Sequence, residues 1–105
     1  MGTLIYGKTR GFEFEDRTLE HVRFVVSAKL RRKESFFLTW APSGPGATGS
    51  VSLWISPDIP ISFRLPETGR APLSKEWIEA MLKMSHTNRG LVVIPERAAG
   101  GGGVR

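Results

Sequence analysis

The apolar residues of this chain switch from a spacing of two to helical spacing and back, twice over, which restricts it to folds in which helices cover a sheet. Residues 3–7 and 11–15 alternate, with Phe12 and Phe14 on one side and Glu13 and Glu15 on the other, so residues 8–10 read as a hairpin turn. Asp16 is a natural N-cap. From Leu19, residues Val22, Val26 and Leu30, flanked by Val25, share one helical face until Lys33. Residues 35–41 and 50–56 alternate again, separated by the loop PSGPGATG. Prolines bracket the next strand, which is confined to residues 59–65. Ser74 caps a second helix with an apolar arc of Trp77, Ile78, Met81, Leu82 and Met84, closed by Asn88 and Gly90. Residues 91–94 have no polar alternation and read as a strand buried on both faces. The expectation is an α+β fold in the order β-β-α-β-β-β-α-β, with two helices packed on one face of a mainly antiparallel sheet.

A length of 105 residues fits one domain, taken as residues 1–96, followed by a flexible Gly-rich tail over residues 97–105. Cysteine is absent, which removes disulfides, thiolate catalysis and Cys-ligated zinc together. The apolar run Leu4, Ile5, Tyr6 is too short for a signal peptide or a membrane span, so a soluble cytoplasmic protein is expected. Fifteen Lys and Arg against ten Asp and Glu give a formal charge of +5, which favours anionic partners.

Strand alternation then asks what the uncovered sheet face carries. If Val51, Leu53 and Ile55 face the helices, Ser50, Ser52, Trp54 and Ser56 face outward. Ile61, Phe63 and Leu65 point inward while Ser62 and Arg64 point out. In residues 36–40, either Phe36, Leu38 and Trp40 or Phe37 and Thr39 are inside, so one aromatic set is exposed. Phe24 falls nearly opposite the core stripe of the first helix. Just before the exposed aromatics, Lys29, Arg31, Arg32 and Lys33 crowd the end of that helix, where cations oppose the negative end of its dipole. Cations beside exposed rings are also what a phosphate backbone with unstacked bases needs. The candidate nucleic-acid-binding set is Arg23, Lys29, Arg31, Arg32, Lys33, Phe37, Trp54 and Arg64.

Catalytic constellations do not emerge. His21 and His86 lie on different helices without metal-ligand spacing and read as surface or cap residues. Strand alternation turns Glu13 and Glu15 to solvent, and the Gly-rich loop has neither the Lys-Ser/Thr nor the helix of a phosphate cradle. No catalytic residue, metal or cofactor is expected.

The stretches MGTLIYG, DRTLEHVRFVVSAKLRRKESFFLTW, SVSLWISPDIPISFRL and KEWIEAMLKMSHTNRGLVVIPE resemble a family of small uncharacterised actinobacterial proteins that often carry the label ATP-dependent DNA ligase. The label implies a K-x-D-G motif whose lysine takes AMP. This chain has Lys8-Thr9-Arg10-Gly11, with arginine at the aspartate position. The first expectation is therefore a non-catalytic module that binds DNA or RNA. The alternative is a protein-interaction module or homodimer joined through the outer sheet face or an edge strand, and ligase-related activity ranks a distant third.

Overall fold

The computed structural model describes residues 1–42, 45–66 and 72–100. Strands β1 (Gly2–Tyr6) and β2 (Arg10–Phe14) form an antiparallel hairpin with Leu4 opposite Phe12. Its turn uses Gly7 at φ 67°, a left-handed conformation that costs glycine little. Helix α1 (Asp16–Arg31) follows, then β3 (Phe36–Trp40), β4 (Val51–Ile55), β5 (Ile61–Arg64), α2 (Lys75–Ser85), β6 (Leu91–Val92) and α3 (Glu96–Gly100). The architecture is α+β in the expected order. The strands divide into two three-stranded sheets, an antiparallel β2-β1-β5 and a mixed β4-β3-β6 in which β6 runs parallel to β3.

The two sheets meet through aromatic side chains. Trp40 of β3 packs against Phe12 and Phe14 of β2, with ring centroids 5.3 and 4.8 Å apart, and the Tyr6 hydroxyl donates to the Trp54 carbonyl at 2.7 Å. Between sheets and helices lie Leu4, Leu19, Val22, Val26, Leu38, Ile55, Met81 and Leu91, all essentially inaccessible. Burial of each large aliphatic stabilises by about 1.5–3 kcal/mol.

Helix α2 is fixed to α1 by a polar seam as well as by apolar packing. His21 is fully buried and stacks on Trp77 at 4.3 Å, its Nε2 accepting from the Ser74 N–H at 2.8 Å and its Nδ1 lying 2.7 Å from the Arg17 carbonyl. The expectation of a surface or cap histidine is corrected: His21 is buried, with one ring nitrogen satisfied within α1 by the Arg17 carbonyl and the other across the fold by Ser74. The Trp77 indole donates to the Ile94 carbonyl at 2.8 Å, and Arg17 forms a two-bond fork on Glu96, both bonds 2.8 Å, while also reaching the Pro72 carbonyl. Opposite Arg17, the Glu96 carboxyl is held below its ordinary pKa by that hydrogen bond.

Several local expectations shift. Asp16 is the first residue of α1, with Glu15 at the cap position. Ser56 is buried, its Oγ accepting from the Asp58 N–H, because the chain turns at Pro57 to cross from β4 to β5. Only Leu91 and Val92 pair in β6, and Val92 is half-buried, so this strand is not covered on both faces. Residues 96–100 form α3, which runs from the last residue of the expected domain into the stretch expected to be tail; residues 101–105 lie outside the described residues.

Candidate nucleic-acid interface

Alternation along β3 and β4 decides the faces. Phe36, Leu38 and Trp40 are buried, which turns Phe37 and Thr39 outward, and β4 sets Trp54 opposite Phe37 and Ser52 opposite Thr39. Phe37 and Trp54 are 50% and 45% exposed and form an edge-to-face pair with centroids 5.1 Å apart. The Thr39 and Ser52 hydroxyls share a 2.8 Å hydrogen bond two pairs further along the strands, on the same face. The open face of β4-β3-β6 is therefore an aromatic pair beside a hydroxyl pair.

The cations cluster at the end of α1, in the turn that leads into β3. That helix closes in a Schellman motif: the Glu34 N–H bonds the Lys29 carbonyl, the Lys33 N–H bonds the Leu30 carbonyl, and Lys33 takes φ 60°. A lysine in the left-handed region is uncommon and costs about 1 kcal/mol, but it turns the chain sharply enough for β3 to begin at Phe36. Arg31, Arg32 and Lys33 are exposed around this turn.

Lys29 is placed differently. It is 5% exposed, with Nζ 2.9 Å from Glu34 Oε1 and 3.1 Å from Ser85 Oγ, and it lies over the Phe36 ring at 5.1 Å. Glu34 thus faces Lys29 and also Arg32, at 3.6 Å. The hydrogen bond from Lys29, followed by the charges of Lys29, Arg32 and His86, holds the Glu34 carboxyl below its ordinary pKa. Lys29 is a structural cation between α1 and α2 and does not join the surface set. Arg31 and Lys33 make no ion pair with any described residue.

Two further candidates stand apart. Arg23 is exposed on α1, eight residues before Arg31, or about 12 Å along the helix axis. Arg64 is exposed, but it belongs to β5 of the other sheet, where it pairs with Thr3. The structure brings together Phe37 and Trp54 across one strand pair and sets Arg31, Arg32 and Lys33 in the turn that leads into it; Arg23 and Arg64 lie elsewhere. Phe24 is 48% exposed on α1, as its spacing implies.

A family model for a domain of unknown function, DUF7882, matches residues 1–96. The chain belongs to the DUF7882 family. No curated protein and no solved structure matches it. Among the described residues of this DUF7882 protein no cluster of three His, Asp or Glu is placed to hold a metal ion, and no helix is long and apolar enough to cross a membrane.

The open face also depends on residues the sequence did not single out. Gly90, at φ 77° just before β6, lies so close beside β3 that a Cβ there would meet the Phe37 carbonyl at 2.7 Å. Gly90 thus fixes the segment after α2 against β3 at Phe37, and the residue before it, Arg89, is exposed. The signal was present as Arg89-Gly90 after a helix, but it reads equally well as ordinary C-terminal capping. The Thr39–Ser52 pair was legible only once the β3–β4 register was known.

Proposed function

We propose that this DUF7882 protein is a small non-catalytic module that binds single-stranded nucleic acid on the open face of β4-β3-β6. The exposed Phe37–Trp54 pair carries the reading: rings held at a sheet surface offer stacking to an unpaired base, worth about 1–3 kcal/mol per base. Arg31, Arg32, Lys33 and Arg89 supply backbone neutralisation beside it, and the Thr39 and Ser52 hydroxyls supply hydrogen bonds to base or sugar. Because the two ring planes are 67° apart, only one ring at a time lies flat for a base, so the pair serves one nucleotide rather than two in succession. The cytoplasm, with its single-stranded RNA, is the compartment this reading assigns. The ligase label of similar actinobacterial proteins is not adopted as an activity, since Lys8 is an exposed turn residue without the aspartate of K-x-D-G.

The test is fluorescence anisotropy with labelled oligo(dT) and oligo(U) at low and moderate salt. Wild type binds with strong salt dependence. Trp54→Ala weakens binding by about 5- to 150-fold, the range given by loss of one stacked base. Arg31→Gln with Lys33→Gln flattens the slope of log affinity against log salt by about 0.7 per lost contact. Absence of any binding at low salt overturns the proposal.

A further inference from the structure

The exposed side of α2 carries a charge pattern that the open sheet face does not use. A shallow, mainly apolar groove there is lined, among the described residues, by Glu76, Glu79, Ala80, Leu82, Lys83 and His86. These six positions are symmetric about Met81: 76 mirrors 86, 79 mirrors 83, and 80 mirrors 82. Met81 is fully buried, so at 3.6 residues per turn Glu79 and Lys83 lie on the opposite, exposed side with Glu76 and His86 beside them. Acids occupy the N-terminal half of this ridge and bases the C-terminal half. Glu79 and Lys83 stand in the i, i+4 order that favours a pair within one helix, yet they make none.

We infer that two copies of this chain associate through α2, with the helices antiparallel about a two-fold axis at the level of Met81. In that arrangement Glu79 of each copy faces Lys83 of the other and Glu76 faces His86, so every contact is made twice, as a closed two-fold interface requires. Antiparallel helices also oppose their dipoles favourably. A parallel pairing would set Glu79 against Glu79 and Lys83 against Lys83. The occupant is thus a second copy, selected by charge complementarity. An eleven-residue helix is only about 16 Å long, so the contact falls below the roughly 1,000 Å² of a stable interface and the dimer is weak and salt-sensitive. This surface leaves Phe37 and Trp54 uncovered and is independent of nucleic-acid binding.

Sedimentation velocity from micromolar to millimolar protein tests it. Wild type shifts from monomer to dimer with rising concentration. Glu79→Lys alone and Lys83→Glu alone remain monomeric, since each sets like charges opposite one another twice. An equimolar mixture of the two single variants recovers the dimer, because each then supplies the charge the other lacks; this also shows that both are folded. The double variant E79K/K83E recovers it within one chain. Trp54→Ala leaves the dimer unchanged. A wild type that stays monomeric to millimolar concentration overturns the inference, as does a dimer indifferent to the charge variants or one abolished by Trp54→Ala.

Discussion

Replacing His21 separates what its ring does from what its nitrogens do. The ring stacks on Trp77 at 4.3 Å, and because Nε2 accepts from Ser74, the ring proton sits on Nδ1 and is donated to the Arg17 carbonyl. His21→Phe keeps the stack and most of the volume but leaves the Ser74 N–H without its acceptor. A stranded donor costs about 1–3 kcal/mol, and half-buried Ser74 belongs near the middle of that range, because water can partly replace the imidazole. The Arg17 carbonyl retains its helical partner, so its loss is the smaller one. The expected total is about 2 kcal/mol for His21→Phe. His21→Ala also removes the ring from a fully buried site and rises to about 3–5 kcal/mol. At about 4–8 °C per kcal/mol, melting falls by roughly 10 °C for the first variant and 20 °C or more for the second. Thermal unfolding followed by circular dichroism, checked by urea midpoints at unchanged slope, measures both. If His21→Phe matches or exceeds wild type, the stack alone holds the helices together and the hydrogen-bond argument is refuted.

The two carboxyls with depressed pKa, Glu34 held by Lys29 and Glu96 held by Arg17, contribute stability that is full above the ordinary carboxylate value and is lost as pH falls through their lower folded values. Melting temperature should therefore drop more steeply below about pH 4.5 in wild type than in the Glu34→Gln/Glu96→Gln variant, and parallel curves would show that neither pairing matters. Incubation with ATP and a divalent metal should leave the intact mass unchanged; an AMP adduct on Lys8 would restore the ligase reading.

What the sequence could and could not reveal follows from which interactions are local. The outward placement of Trp54 and Arg64 follows from alternation within a strand, and both are exposed; on β3 alternation left two choices open, and the burial of Phe36, Leu38 and Trp40 is what turns Phe37 out. Alternation gives a face and not a sheet, so it could not tell that Arg64 joins β1 while Trp54 joins β3. Lys29 is the instructive case. It stands at helical spacing from Val22 and Val26, on the buried stripe, but its charge argues for solvent; only Glu34 and Ser85, the latter 56 residues away, make its burial tolerable. His21 likewise depends on Ser74 and Trp77, which lie more than fifty residues away in the chain.

Net charge separates the two kinds of partner the open face could take. Two copies meeting face to face there would bring together molecules of formal charge +5, with Arg31, Arg32 and Lys33 of each beside the contact, and nothing on β3 or β4 offers compensating acid. Like-charge juxtaposition slows encounter and opposes association, whereas an anionic strand is drawn to the same cations. Glu34 tempers this field by engaging Lys29 and Arg32, but Lys29 is already withdrawn from the surface, so the exposed charge in the turn before β3 stays positive. On α2 acids occupy the N-terminal half of the exposed ridge and bases the C-terminal half, so an antiparallel pair of helices sets opposite charges together and the local field there does not oppose self-association. Raising salt should accordingly weaken both contacts, while Trp54→Ala weakens only the first and Glu79→Lys only the second.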